Sequence, residues 1–584
     1  MWRTAVHPNA VTRPTAMLSG GADSYRLGWF ATCGLWLFGL TMLLPYLGTS
    51  RALTYHEIVF AEPAREMLAH GEFIVPRIAG VPFTDKPPLM AWLIATSMAV
   101  FQSEAEWVVR LPSVLAAIGT AWVIAVVAAR WFGAQVGALS GFIHLTTVHV
   151  MMQARLAECD TLLGLAVAGA LGLFGLAMVE GPLGKLTGRW VPWAFYACAA
   201  AAFMTKFLAG PLFVVAGVGA FTLIERRWGE VLRWLANPVG IVIALGLTVP
   251  WCIAAYLEHP GLLDNVLYHN VGRFSGTLGQ NEPPWAYAYL VPFMMLPWSP
   301  LLIVGLVQAI RHGLHHDARW RLLAAWSLGG IGVLSLAAFK TKHYAIPALA
   351  PLAVISARAL VDHLQWRKRA TQHWTLLSIA AIVAGVTAAW IVIGKLPRIS
   401  SDERNMIGVA LAFVAVGMTV VLWYERQRHI RGQCIASFAT AWCVSLVVQI
   451  GIIPFHDSYR HQTEFAAVLN EQWGERAARM TLYLVGLPEN QVTYYLRPRL
   501  EGENDPLVFL RQVARRPHEQ PLDVLGPRWV FELLDQYGEV TQPQHCPQMN
   551  RYQTEVDRLT LFRWQPDGAK LAQLPDRLVV PQRR

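Results

Sequence analysis

Apolar runs near the roughly 20 residues needed to cross about 30 Å of hydrocarbon recur in this chain from residue 28 to residue 454. A chain built this way folds as a bundle of membrane-spanning helices. The runs predict spans over 28–47, 108–130, 134–152, 161–180, 191–205, 208–225, 236–257, 287–310, 321–339, 344–362, 374–394, 405–424 and 434–454. Composition agrees: 15% of the residues are charged and mean hydropathy is +0.37, against about 25% charged in soluble proteins. The first run is too long for the core of a signal peptide and has no small-x-small cleavage site, so it reads as a retained span.

The apolar stretch Leu89–Phe101 is short for a crossing and reads as an interfacial segment. With that reading, the basic residues alternate sensibly along the chain. Arg3, Arg13 and Arg26, then Arg130, Lys185/Arg189, Arg226/Arg227/Arg233, Arg311/Arg319/Arg321, Arg367/Lys368/Arg369 and Arg426/Arg428/Arg431 all fall on one side, which the positive-inside bias makes cytoplasmic. Counting 89–101 as a span would throw Arg226/Arg227 and Arg367–Arg369 outside. The net charge of +10 is therefore a matter of topology rather than of nucleic-acid binding. The remaining polar segments converge on the opposite face: loop 48–107, Arg155–Asp160, Lys206, loop 258–286, Lys340–His343 and the tail after 454.

That tail, 455–584, has mixed charge, many prolines and few long apolar runs. Helical spacing over 462–473, 506–513 and 527–536 and strand patterns over 481–485 and 559–564 predict a small extracytoplasmic α/β domain after a membrane domain spanning 1–454. Cys33, Cys198, Cys252, Cys434 and Cys443 lie in apolar runs, where a thiol acts as a small hydrophobe. Cys546 stands alone in the tail, so no disulfide framework is expected there.

Chemistry-bearing residues gather in the polar segments. His56, Glu57, Glu62, Arg65 and Glu66 share one short stretch, Arg65 lying three residues after Glu62, and Ala64–His70 predicts a short helix ended by Gly71. His56-Glu57 is no zincin start, because Phe60 occupies the position of the second histidine. Pro87-Pro88 stiffens the backbone behind Asp85 and Lys86; an acid there suits a metal or hydroxyl and a lysine suits a phosphate. Asp160 follows Arg155 and Glu158 at the entry to a span, and His269 and Arg273 lie four apart. Lys340, Lys342 and Tyr344, with Pro347 behind them, suit an anionic headgroup. No Walker loop or dinucleotide fingerprint occurs, so no nucleotide cofactor is expected, and a lipid-borne donor is what remains.

These residues resemble a known group. Ala61-Glu-Pro-Ala-Arg65-Glu-Met67, Pro76-Arg77, Asp85-Lys-Pro-Pro-Leu89 and Val109-Arg110-Leu-Pro-Ser113 are similar to the first outer loop of the aminoarabinose transferase and protein mannosyltransferase-like group, polyprenyl-phosphate-dependent glycosyltransferases of the GT-C class. The similarity continues through Arg155…Asp160, Thr205-Lys206…Gly210-Pro211, His269…Arg273 and Lys340-x-Lys342-x-Tyr344-x-x-Pro347. The resemblance implies about thirteen spans, interfacial helices in the first loop and an outer C-terminal domain. It makes Asp85 and His269 candidates for a divalent metal site, gives Lys86, Arg273, Lys340 and Lys342 the donor phosphate, and places Tyr344 in the pocket with Arg65, Asp160 and Lys206 as acceptor or pocket residues. The group usually opens the loop with an Asp-Glu pair and uses the aspartate catalytically; this chain has His56-Glu57 there.

The expectation is an inverting transfer of sugar from a polyprenyl phosphate to a lipid, lipid A-like, or other acceptor at the periplasmic face of a bacterial inner membrane. Glu57, His56 and Glu62 are the candidate catalytic groups. A protein O-glycosyltransferase is the alternative within the class. A lipid or sugar transporter is the alternative outside it, disfavoured because transporters place polar groups near the midplane whereas here they gather at one end.

Overall fold

The computed structural model describes residues 22–49, 51–277, 282–366, 401–427, 429–452, 462–486, 492–515, 520–545 and 559–575. The span expected at 374–394, the basic trio Arg367/Lys368/Arg369 and Cys546 lie outside them. Helix α1 (Trp29–Leu43) is followed by α2 (Tyr55–His70), a small antiparallel pair β1 (Arg77–Ile78) and β2 (Val81–Pro82), then α3 (Leu89–Phe101) and α4 (Glu106–Phe132). Seven described helices are each long and apolar enough to cross a membrane alone, eight if one bent pair counts as a span. Shorter helices, among them Ala134–Thr146, Trp190–Lys206 and Ala209–Glu225, occupy the other expected positions.

Small residues set the closest helix packing. Gly137 and Gly141 of Ala134–Thr146 face Ala121, Ala125 and Ala129 of α4, and a methyl on Gly137 would lie 2.4 Å from the Ala125 carbonyl oxygen. This four-residue repeat of small side chains lets two backbones approach where lipid offers no hydrophobic drive. Helix α3 has 13 residues, about 20 Å at 1.5 Å per residue. It buries Met90, Ile94, Ala95 and Met98 against Ile58, Phe60, Ala61 and Ala64 of α2 and Val108 and Val109 of α4.

Two expected spans are interrupted. The stretch 134–152 breaks at Thr147, whose backbone is extended between Ala134–Thr146 and Val148–Gln153. The hydroxyls of Thr146 and Thr147 donate to the carbonyls of Phe142 and Ile143 (2.7 and 2.8 Å), a back-bonding that competes with the helix ladder. The freed Val148 N–H finds the Leu296 carbonyl at 2.9 Å. The stretch 287–310 folds as Ala286–Met294 and a second helix from Ser299, bent by 118° over the Leu-Pro-Trp-Ser-Pro sequence at 296–300.

The C-terminal region carries one five-stranded sheet: β3 (Thr481–Val485), β4 (Arg499–Glu503), β5 (Leu522–Pro527), β6 (Gly538–His545) and β7 (Leu559–Pro566), in the order β4-β3-β5-β7-β6. β4-β3-β5 are parallel and β5-β7-β6 antiparallel. Helices form at Gln462–Trp473, Pro506–Ala514 and Arg528–Leu534, close to where spacing puts them. The sheet sits directly on the first loop. Ala79, at the β1–β2 turn, joins the cluster of Leu469, Leu482 and Leu525, and its carbonyl accepts from the Gly502 N–H at 2.6 Å.

The two ends of the bundle differ in charge. Helix Asp160–Met178 places Asp160 at one end, while at the other the Met178 carbonyl accepts from Arg227 at 2.9 Å. Arg319 bonds the Trp131 carbonyl (2.6 Å) at that same α4 end, and Arg321 pairs with Glu225.

Candidate active site

Helix α2 starts nine residues earlier than the spacing of Ala64–His70 predicts, with Thr54 at its N-cap and the Glu57 side chain reaching back to the Thr54 N–H. Glu57 Oε2 accepts from the Thr54 N–H at 2.9 Å. Its carboxylate also takes Arg110 Nε at 2.7 Å and Nη2 at 3.2 Å, and the Ala157 N–H at 3.1 Å. Both side chains are buried, with relative exposures of 0% for Glu57 and 1% for Arg110. Arg110 further donates to the carbonyls of Leu47 (2.7 Å), Arg51 (3.2 Å) and Ala52 (3.3 Å). Burial works against the Glu57 charge, yet the Arg110 guanidinium and these hydrogen bonds hold its carboxyl at about 2. A carboxylate so held is a weak base with no open lone pair. These contacts give Glu57 a structural place: it ties α2, α4 and the 154–159 loop together.

Glu62 and Arg65 also turn to structure. They form an ion pair, with Glu62 buried; Arg65 donates to the Tyr494 carbonyl at 2.8 Å and lies over the Tyr494 ring at 5.2 Å. Tyr494 and Tyr495 reach in from the C-terminal region. The Tyr494 hydroxyl donates to the Glu104 carbonyl (2.6 Å), and the Tyr495 hydroxyl accepts from the Leu53 N–H (2.7 Å) and meets Glu106 at 3.2 Å. Burial, opposed by Arg65 on Tyr494, raises both phenols far above their ordinary range. Arg65, expected in the acceptor pocket, and Glu62, expected in catalysis, form the pair through which α2 meets the C-terminal region at Tyr494.

The remaining candidates converge where Trp190–Lys206 ends and Asp160–Met178 and Ile346–Trp366 begin. Lys206 Nζ donates to Asp160 Oδ1 at 2.7 Å and stands 3.9 Å from the centre of the Tyr344 ring, an ion pair and a cation–π contact on one ammonium. Both members of the pair are mostly buried. His343 lies within electrostatic reach of Asp160, Lys206, His56 and His149. His149 hydrogen-bonds the Lys342 backbone, and its Nε2 is buried without a hydrogen-bond partner. Lys86 feels Asp160 electrostatically and bonds the Asp85 carbonyl at 3.3 Å. Lys342 is exposed, its ammonium 5.7 Å from the Phe293 ring. Glu158 accepts from Gln153; burial, reinforced by Asp160 and Glu57, pushes its carboxyl up to about 8. His56, in the first turn of α2, is exposed and packs edge-on against Tyr55.

Lys340, expected at the donor phosphate, donates its ammonium to the carbonyls of Glu282 (3.0 Å) and Ala337 (2.5 Å), which fastens the loops that carry them. The Arg273 side chain lies outside the described residues. Asp85 Oδ1 accepts from His269 Nε2 at 2.8 Å and Asn265 Nδ2 at 3.0 Å. Among the described residues no group of three or more His, Cys, Asp or Glu is arranged to hold a metal. Asp85 and His269 offer two donors already bonded to each other, fewer than the three or four of a zinc centre.

Comparison with known proteins places this arrangement. Residues 85–253 match the family described as dolichyl-phosphate-mannose-protein mannosyltransferase. The undecaprenyl phosphate-alpha-4-amino-4-deoxy-L-arabinose arabinosyl transferase of Pseudomonas savastanoi pv. phaseolicola is 30% identical over 392 residues, 66% of this chain and 71% of the relative. The chain belongs to this arabinosyl transferase family. A Pseudomonas fluorescens arabinosyl transferase is 29% identical over 426 residues, 71% of this chain and 70% of the relative. The crystal structure of ArnT from Cupriavidus metallidurans bound to undecaprenyl phosphate shares the fold, with a TM-score of 0.74 and 20% identity over 91% of this chain and 98% of that one. Within the family fold, the sequence pattern alone missed Arg110 as the partner of Glu57, His149 and His343 beside Asp160, Asn265 on Asp85, and the Tyr494-Tyr495 latch. His343, inside Lys340–Tyr344, and Arg110, inside Val109–Ser113, carried a local signal.

Proposed function

We propose that this chain transfers a sugar from a polyprenyl phosphate to an acceptor at the extracytoplasmic face of a bacterial inner membrane. The observation that supports this best is the gathering of Lys206, Lys86 and His343 at Asp160, with Tyr344 over Lys206, His56 acting on His343 and Lys342 on His149, at the bundle end opposite the arginine-rich one. The positive-inside bias supports assigning the arginine end to the cytoplasm. Residues 455–584 then form an outer domain on the catalytic loop.

In the proposed reaction the acceptor oxygen attacks the anomeric carbon from the face opposite the phosphate. The new C–O bond forms as the bond from that carbon to the phosphate oxygen breaks. The phosphate leaves with the electron pair, and the configuration inverts. His56 takes the acceptor hydroxyl proton, a role that a neutral imidazole can fill; a positioned general base contributes about 10²–10⁴-fold. Lys86 and Lys342 stabilise the charge that grows on the departing phosphate in a low-dielectric setting. Lys206 holds Asp160 and Tyr344 in place. An acceptor that is itself a phosphate needs no base, which would lessen the demand on His56.

A lipid acceptor, lipid A-like, is the first reading. The match to a protein mannosyltransferase family over 85–253 supports a polypeptide acceptor as the second. The test is purified protein in liposomes with a polyprenyl-phosphate sugar and either lipid extract or a Ser/Thr-rich peptide pool. Release of polyprenyl phosphate with labelled lipid supports the first reading, and labelled peptide the second. Donor left intact, with sugar carried across the bilayer, would replace the enzyme by a transporter.

A further inference from the structure

Residues 71–76 join α2 to the β1–β2 pair as irregular chain, inside a segment whose sequence reads as polar outer loop. Val75 is buried in a cluster with Met204, Phe207, Trp251, Ala255 and Leu262, which places this short loop at the Lys206 end of the bundle. Beside it, Phe73 and Ile74 are 43% and 40% exposed. Their carbonyls are nevertheless bonded by protein. Trp92 Nε1 of α3 donates to the Phe73 carbonyl at 2.8 Å, and Trp251 Nε1 of the helix Pro238–Glu258 donates to the Ile74 carbonyl at 2.9 Å. A carbonyl that faces water needs no protein donor, whereas one that faces lipid does.

Position along the helix agrees. Trp251 lies seven residues before Glu258, about 10 Å along the axis at 1.5 Å per residue, so the Ile74 carbonyl is met below the helix end. One turn deeper on the same face, Leu247 is 54% exposed, in a helix long and apolar enough to cross a membrane. The surface beneath the loop is therefore one that lipid covers. Charges mark the other level: Arg77 pairs with Glu72 and with Glu258, both at 2.9 Å, at the neck where the loop leaves and rejoins the outer chain. Among the described residues no acceptor meets the N–H groups of Phe73, Ile74 and Val75. At the glycerol level of a bilayer, lipid ester and phosphate oxygens supply acceptors but few donors. A loop seated there must bring donors for its carbonyls and can leave its amides to the lipid.

We propose that residues 71–76 form a finger set into the bilayer at the Asp160 end of the bundle, with Phe73 and Ile74 among the acyl chains of the phospholipids there. The depth suits the roughly 5–10 Å to which interfacial elements bury their apolar side. The finger joins α2, which carries His56, to the chain that leads to Asp85 and Lys86. Its insertion holds both at headgroup level, where a lipid-borne substrate presents its polar end. This seating of the first loop does not depend on which reaction the site performs.

The experiment places the photoreactive residue p-benzoylphenylalanine at position 73 or 74 of the full chain, in liposomes of phosphatidylethanolamine and phosphatidylglycerol. After irradiation, intact-protein mass spectrometry counts the chains that have gained one phospholipid. The same residue at Leu245, exposed on the spanning helix Pro238–Glu258, is the membrane reference, and at Val508, exposed on the helix Pro506–Ala514, the water reference. A lipid adduct is expected at Phe73, at Ile74 or at both, near the Leu245 level and at least about tenfold above Val508, because hydrocarbon is confined to the bilayer. Adducts at both finger positions as rare as at Val508, with Leu245 labelled, overturn the inference. Phe73 and Ile74 are exposed, so the label replaces no buried group, and either position decides the matter where the other variant does not fold. The readout is a mass rather than a turnover, so failure here is distinct from failure of the transferase reading.

Discussion

Replacing Glu57 by glutamine separates a structural acid from a catalytic one. In the wild-type protein the carboxylate accepts from Arg110 Nε and Nη2, the Thr54 N–H and the Ala157 N–H, at 2.7–3.2 Å, with no exposure to solvent. Glutamine keeps the shape and one acceptor oxygen, turns an amide NH₂ toward donors, and leaves the buried Arg110 charge without a counter-ion. Removing one member of a buried pair costs about 3–5 kcal/mol. Glu57→Gln should therefore lower the apparent melting temperature of the detergent-solubilised protein, read by the monodisperse fraction after heating. The double variant Glu57→Gln/Arg110→Met should recover much of the loss, since a buried pair replaced by apolar groups is often near neutral. The linkage has a definite sign. The folded carboxyl titrates at about 2 against an ordinary 4.5, so its contribution is complete above about pH 4.5 and fades as pH falls through 2. A Glu57→Gln protein that melts like the wild type but loses transfer by more than about 10²-fold would refute the structural role and restore Glu57 as the base.

Other variants address the remaining assignments. The Glu158 carboxyl is raised to about 8, so the folded state binds its proton more tightly than the unfolded chain and stability should fall between about pH 4.5 and 8; Glu158→Gln should flatten that slope in melts taken across the range. Tyr495→Phe leaves the Leu53 N–H without the hydroxyl it meets at 2.7 Å, at a cost of about 1–3 kcal/mol, and should raise protease sensitivity between the first loop and the sheet. Lys342→Gln should raise KM for the polyprenyl-phosphate donor with little change in melting. Lys340→Gln should do the reverse, because its ammonium fastens the Glu282 and Ala337 carbonyls; equal effects of the two substitutions on KM would contradict the division of roles.

Helix positions were legible because a bilayer demands long apolar runs, and the tail's helices because their apolar spacing is regular. The breaks at Thr147 and near Pro297 were hidden inside runs whose hydrophobicity never drops, so local back-bonding and prolines decided them. Three strands were not expected: β4 and β6 are polar and lie at the sheet edges, and β5, Leu522-Asp-Val-Leu-Gly-Pro527, is buried at the sheet centre but too short an apolar run to stand out between prolines. The site divided along similar lines. Asp160, Lys206 and Tyr344 were singled out separately, and the fold joins them on one ammonium. The partners of Glu57 and Arg65 were not legible, because Arg110 lies 53 residues from Glu57 and Tyr494 lies 429 residues from Arg65, and no spacing rule connects them.

The central claim is that an exposed imidazole, not the buried carboxylate beside it, takes the acceptor proton during transfer from a polyprenyl phosphate. The most direct measurement is single-turnover release of polyprenyl phosphate in liposomes by wild type, His56→Ala and His56→Asp, each checked for an unchanged melt. With a hydroxyl acceptor, His56→Ala should lose about 10²–10⁴-fold and His56→Asp should recover part of it, all three melting alike because His56 is exposed. Full turnover by His56→Ala on that acceptor would contradict the account.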